Sequence, residues 1–368
     1  MKKRKRKNFR VFFFIDYKLF IPIILLTSIG LLAIVDVSAP KAMETFSDHF
    51  YFLKQQSVWV ILGLLIYIII SQINFSLWEK YAKVILLVVI ICLVAVLIPG
   101  LGTRTYGAQR WLNIGFIRFQ PSEFAKLAIC IYFAKLAVYK KGLMSYVIPL
   151  ILVTGLIIIQ PDLGTTAVIA AIALTQIYIS EISLKKLSIF FIIGIVITSL
   201  LIASSSYRRE RVVSFLDPFS KISDSTYHVR QLLYALAIGG ISGVGIGQST
   251  QKYLFLPEAT TDSIFAVIAE EVGFIGVLAI ILLYLYIFYR MIKSIKNIQN
   301  PFALSFTVGV FAWFSGQTFI NLASVSSLIP FTGVPLPFIS YGGSTLLSFF
   351  IAFAIFNSII KYSNYHEK

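Results

Sequence analysis

The sequence predicts an all-α polytopic membrane protein of about ten transmembrane helices, with both termini in the cytoplasm and a large extracytoplasmic loop between the seventh and eighth helices. Three observations predict it. Of 368 residues, 58% are hydrophobic and only 13% charged, and the mean hydropathy of +0.86 lies outside the soluble range. Apolar runs of about 17 to 25 residues, each able to cross about 30 Å of hydrocarbon, recur along the whole chain. Lys and Arg gather at the ends of alternate runs, the asymmetry that orients membrane proteins.

Residues 1–18 hold eight Lys or Arg and one acid, which places this basic N-terminus in the cytoplasm. The run after it ends at Val37-Ser38-Ala39, a signal-cleavage pattern, but Pro40 follows directly and the run is long, so it reads as a retained first span. Ten spans are predicted at roughly 19–38, 54–73, 81–99, 121–139, 143–160, 163–180, 186–203, 262–289, 301–325 and 338–360. Residues 19–361 form one transmembrane domain, the outer loop runs over 204–261, and 362–368 is a cytoplasmic tail. The inner loops carry Lys80 and Lys83, Lys140 and Lys141, Lys185 and Lys186, then Arg290, Lys293 and Lys296. The net charge of +16 is thereby explained by orientation and anionic groups at the membrane, and no basic module for nucleic acid is present. Cys92 and Cys130 fall inside spans, where they read as small buried hydrophobes.

The outer loops carry polar residues that topology does not require. Residues 101–126 hold Arg104, Arg110, Arg118, Glu123 and Lys126, and Pro121-Ser122-Glu123 is a helix start. Glu123 and Lys126 are an i,i+3 pair, either functional or a structural ion pair at the mouth of the fourth span. Gln160-Pro161-Asp162 opens the sixth span, with an N-cap as the competing role for Asp162. The long loop brings Arg208, Arg209 and Arg211, an amphipathic helix over 227–238, glycines at 239, 240, 243, 245 and 247, and Lys252. Those glycines follow a helix rather than a strand, which argues for tight turns at the membrane surface and against a phosphate loop. Residues 329–343 contain three prolines and three glycines. Non-helical backbone there must be buried in protein or line a wet cavity.

The segment 253–276 concentrates four carboxylates, Glu258, Asp262, Glu270 and Glu271. Asp262 stands where the outer loop meets the eighth span and is a candidate base, with helix capping as its competing role. Glu258 is a second carboxylate, a ligand for a divalent cation or a solvated loop residue. Glu270 and Glu271 lie deeper and fit a structural polar network. His49, His228 and His366 are scattered, none with a partner in its own motif. Cations and carboxylates converging on one face suit a substrate that bears phosphate and reacts through a hydroxyl.

Four stretches carry a resemblance: GAQRWLNIGFIRFQPSEFAK (107–126), QPDLGTT (160–166), GGISGVGIGQSTQKYLFLPEATTDSIFAVIAEEVGFIG (239–276) and TGVPLPFISYGGS (332–344). In this order they resemble the signatures of the SEDS family, the shape, elongation, division and sporulation proteins of bacteria. The resemblance implies an inner-membrane fold of ten spans, and glycosyltransferase activity that polymerises lipid II and releases undecaprenyl pyrophosphate. It also implies a class B penicillin-binding protein as partner, among other divisome proteins. The family's essential aspartate falls on Asp262, its LPE glutamate on Glu258, and its RW and SEFAK motifs on Arg110, Trp111, Glu123 and Lys126. Gln160, Asp162, Arg208, Lys252, Ser340 and Ser344 complete the candidate substrate contacts. Mg²⁺ or Mn²⁺ is the candidate cation, with Glu258 as ligand, and no organic cofactor is implied. The pattern His-Thr-Asp-Phe is replaced here by Thr260-Thr261-Asp262-Ser263, so no role of that histidine transfers. SAPKAMETFSDHFYFLKQQ (38–56) and GQSTQKYLFLPEA (247–259) resemble division members more than elongation members.

Overall fold

The computed structural model describes residues 14–105, 108–115, 117–219, 224–253 and 255–366. The basic stretch before residue 14 and the end of the tail lie outside them. Among the described residues are twelve helices and three strands: α1 Tyr17–Phe46, α2 Tyr51–Gln72, α3 Ser76–Leu97, β1 Gly102–Thr105, β2 Ala108–Ile114, β3 Ile117–Phe119, α4 Pro121–Val138, α5 Leu143–Ile159, α6 Leu163–Ile179, α7 Leu184–Ala203, α8 Ser206–Leu216, α9 Asp224–Gly239, α10 Ile264–Ile295, α11 Pro301–Val325 and α12 Gly343–His366. Each of the ten predicted spans is largely helical, the tenth from Gly343 onward. Seven helices are long and apolar enough to cross a membrane, and α5 and α6 are shorter apolar helices. The eighteen-residue α4 carries Glu123, Lys126 and Lys135, charges that a lipid-facing helix would not hold.

Packing explains those charges. Helix α4 lies between α3, α6 and α11 and buries most of its residues, whereas α7 fully buries none and packs only partly, through Leu187 and Phe190. Aromatic rings fill the centre between α11, α12 and the preceding loop. Trp313 stacks on Phe349 at 4.5 Å, Phe314 meets Phe353 at 5.1 Å, and Phe338 lies 5.5 Å from Phe350.

Two outer segments expected as loop carry regular structure. Residues 102–119 form an antiparallel three-stranded sheet, order β1-β2-β3, with Thr103 opposite Trp111 and Asn113 opposite Arg118. The Thr, Trp, Ile and Phe content of this stretch favours strands, and Gly115 at φ +60 takes the left-handed turn between β2 and β3. Residues 206–216, expected as loop, form α8. The amphipathic helix expected over 227–238 is present as α9.

The proline- and glycine-rich connection 326–342 is non-helical, as expected, and much of it is buried. Side chains from neighbouring helices satisfy its carbonyls: Arg211 bonds Phe331 O at 3.1 Å, Asn321 bonds Val334 O at 2.7 Å, Gln317 bonds Pro335 O at 3.0 Å and Tyr284 bonds Pro337 O at 2.6 Å. Irregular backbone within the bundle requires such partners, because lipid offers none.

Helix α10 is broken at Gly273, where φ 64 and ψ −170 are open to glycine alone. The glycine-rich loop fills the break rather than lying on the membrane surface. Val244 N and Gly245 N donate to Glu270 O and Glu271 O, each at 3.0 Å, while Phe274 N and Ile275 N donate to Gly240 O and Ile241 O at 3.0 and 3.2 Å. A Cβ on Gly273 would collide with the main chain of Ser242 and Gly243. Gly273→Ala is therefore expected to cost about 3 kcal/mol or more, combining backbone strain with the collision, and to lower the detergent melting temperature of the purified protein.

Candidate active site

Asp262 is delivered by a tight turn. Pro257 precedes Glu258, whose backbone sits at φ +51 and whose carbonyl accepts from Thr261 N at 3.1 Å and Ser263 N at 3.2 Å. Thr261 Oγ1 donates to Glu258 Oε2 at 2.9 Å, closing the turn through its side chains. Asp262 emerges one residue before the N-cap of α10, which is Ser263. Its carbonyl accepts from Asn321 Nδ2 of α11 at 2.9 Å. The N-cap position thus falls on Ser263 and not on Asp262.

The carboxylate of Asp262 is partly buried and faces Gly333, where a side chain would begin 3.1 Å from Oδ2. Burial pushes its pKa up to about 7, and the negative charges of Glu258 and Asp162 push in the same direction, while Arg211 and Arg110 partly offset them. Two acids and two arginines from β2, α8, the start of α6 and the 258 turn therefore act on one carboxyl group. Burial and the two acids raise it well above the ordinary carboxylate value, and the two arginines oppose them.

The two arginines are fixed by helix ends and loop carbonyls. Arg110 Nε donates to Gln160 O at 2.9 Å and Nη2 donates to Pro161 O, at the C-terminal end of α5 where carbonyls are free. Gln160 itself reaches Leu93 O at 3.1 Å and ties α5 to α3. Arg211 bonds Phe331 O and the Tyr207 hydroxyl. Of this cluster Arg208 is the candidate substrate contact in sequence, but its side chain folds back onto Leu201 O at 3.0 Å, at the end of α7. Three arginines within four positions look alike in sequence; only the course of α8 separates them. Trp111 lies 4.7 Å from the Arg118 guanidinium, a stacked pair on the sheet.

Other candidates turn to the protein rather than to the site. Asp162 is the N-cap of α6, accepting from Thr165 N at 3.0 Å and Thr165 Oγ1 at 2.8 Å, yet its charge still reaches Asp262. Glu123 and Lys126 form a 2.7 Å ion pair at 2% and 1% side-chain exposure. Lys126 also donates to Gln317 at 2.8 Å, and only 1% of its side chain is exposed. Lys252 is buried between Asp36 at 2.7 Å and Glu271 at 3.3 Å, and it bonds Gly247 O. Ser340 accepts from Leu336 N at 2.8 Å and Ser344 from Gln120 N at 3.0 Å. Glu123, Lys126, Lys252, Ser340 and Ser344, all candidate substrate contacts, thus each bond a protein partner in this structure. Glu270, bonded by Thr250 N at 3.0 Å, Thr250 Oγ1 at 2.9 Å and Ser249 Oγ, occupies the expected polar network, as does Glu271.

The structure adds His228, which sequence reasoning passed over. Its Nε2 lies 2.9 Å from Ser263 Oγ and its ring 4.2 Å from Phe331. No sequence signal marks it, because the two partners are 35 positions apart. For a divalent cation, the described residues offer no group of three or more His, Cys, Asp or Glu. The mutual repulsion of Glu258 and Asp262 is nevertheless an environment that a cation would relieve, with phosphate oxygens and water as further ligands.

Fold and site together define a polytopic membrane protein with an acid–arginine site at one end of its helical bundle. The chain belongs to the Cell cycle protein family FTSW_RODA_SPOVE, whose model matches residues 17–365. It is 34% identical to "Probable peptidoglycan glycosyltransferase FtsW" of Trichlorobacter lovleyi, over 96% of this chain and 95% of that protein. It is likewise 34% identical to stage V sporulation protein E of Bacillus subtilis, over 95% of this chain and 98% of the relative. The fold matches the rod shape determining protein RodA of Thermus thermophilus with a TM-score of 0.69 at 21% identity, over 94% of this chain and 96% of that one. It also matches a chain from a structure described as "Structural coordination of polymerization and crosslinking by a peptidoglycan synthase complex", with a TM-score of 0.76 at 23% identity over 95% and 98% of the two chains.

Proposed function

We propose that the chain is an inverting peptidoglycan glycosyltransferase of the bacterial inner membrane, which polymerises lipid II at the division septum. The observation that carries this reading is the Asp262 carboxyl, raised to about 7 beside Arg110 and Arg211. A base works best when its pKa lies near the working pH. Asp262 takes the proton of the acceptor's sugar 4-hydroxyl as that oxygen attacks the anomeric carbon of the donor's muramyl residue. The bond from that carbon to the undecaprenyl pyrophosphate breaks, its electron pair leaves with the pyrophosphate, and a β-1,4 bond replaces an α linkage. Arg110 and Arg211 stabilise the charge that develops on the leaving group. Mg²⁺ or Mn²⁺, held by Glu258, would supply further charge there.

A class B penicillin-binding protein is the partner that would cross-link the strands. Names of relatives favour division over elongation, since several are FtsW proteins. A lipid II flippase is the rival reading. It requires a continuous polar path through the bundle, whereas the buried pairs here are closed on themselves: Glu123 with Lys126, and Glu271 with Lys252. Purified protein with its transpeptidase partner blocked is expected to convert lipid II into glycan chains. Vesicles carrying only inward-facing lipid II separate the rival: transport without polymer formation would contradict the enzymatic reading.

A further inference from the structure

Serine at a helix N-cap ordinarily accepts a hydrogen bond from the first free N–H groups of its helix. Ser263 does not: at the N-cap of α10 its side chain makes no capping bond. The buried hydroxyl instead meets His228 Nε2 of α9 at 2.9 Å. The imidazole packs on Phe331 at 4.2 Å, and Arg211 of α8 bonds the Phe331 carbonyl while its guanidinium lies 5.9 Å from the ring. Elements α8, α9 and the 326–342 connection thus converge on the residue that follows Asp262. From the opposite side Asn321 of α11 holds the Asp262 carbonyl at 2.9 Å. The peptide between residues 262 and 263 is therefore gripped by two elements far apart in sequence.

We propose that His228 is a positioning residue: through Ser263 it ties α9 to the foot of α10 and sets the Asp262 carboxylate where the acceptor hydroxyl arrives. The inference rests on Asp262 being the base. Burial, with Arg211 beside it, pushes the His228 pKa down to about 4. The ring is then neutral at any working pH and serves as a fixed strut, not a pH switch.

The test uses the full chain with its transpeptidase partner and purified lipid II. Ser263→Ala and His228→Ala are each expected to lower kcat about tenfold to hundredfold with KM changed less than about twofold, as misplacement of a catalytic group does. The double variant is expected to be no worse than the poorer single one, because both remove the same tie. His228→Gln, whose amide can bond the hydroxyl, is expected to recover most of the rate. Ser263→Ala removes one oxygen and no cap, so it decides the matter if His228→Ala fails to fold. Wild-type kcat in a folded Ser263→Ala complex, or additive losses in the double variant, would overturn the proposal. Asp262→Asn separates the two readings. If it is inactive while Ser263→Ala is fully active, only the positioning role fails; if it is fully active, the base assignment itself fails.

Discussion

Asp262→Asn is expected to reduce lipid II polymerisation by about 10² to 10⁴-fold, the usual contribution of a general base. The substitution keeps the shape of the side chain and its neighbours Glu258, Asp162, Arg110 and Arg211, so substrate binding should persist and the loss should fall on kcat. The same change should affect stability in the opposite sense. Burial raises the Asp262 pKa from 3.8 to about 7. The folded state therefore holds a proton that the unfolded chain has already released, and wild-type stability falls as pH rises between those two values. Asparagine carries no such proton, so the variant's melting temperature should exceed that of the wild type above about pH 7 and approach it toward pH 4. Activity and melting curves across this range check both halves. A variant with wild-type turnover would remove Asp262 from the chemistry.

Lys126→Met is expected to destabilise the fold by about 3 to 5 kcal/mol, the cost of leaving a buried charge without its partner. Glu123 would stay in the interior at 2% exposure with its Oε1 partner gone and its Oε2 already unbonded. Gln317 would lose one of the two donors to its Oε1, keeping only Trp313 Nε1 at 2.9 Å. Adding Glu123→Gln removes the orphaned charge and should restore most of the stability. Thermal unfolding of the single and double variants in detergent checks this. Activity that falls in Lys126→Met with no loss of stability would instead return Lys126 to the substrate.

Much of the architecture was legible because the bilayer imposes it. Spans must be apolar and helical, and the ten predicted segments fall on helices, with ends shifted by several residues in α1, α3, α10 and α12. The sheet at 102–119 was missed because the stretch was read against a membrane background in which outer loops carry no pattern of their own. Asp262 and Glu258 could be named from their motifs, whereas the choice of Arg211 over Arg208 depends on where α8 points. Lys126 and Lys252, which read as substrate contacts in sequence, both sit in buried ion pairs. A charge near a span end can face water or a buried partner, and the partners Gln317 and Asp36 lie 191 and 216 residues away in sequence. His228 was hidden in the same way, its role depending on a serine that local sequence would assign to capping.

If Asp262 is the base, its ionisation governs the chemical step. The pH dependence of kcat/KM for lipid II, followed from about pH 5 to about pH 9 with the transpeptidase blocked, is expected to show a rising acid limb with its midpoint near 7, where Asp262 loses its proton, followed by a plateau. A profile level through that range would remove Asp262 from the role of base.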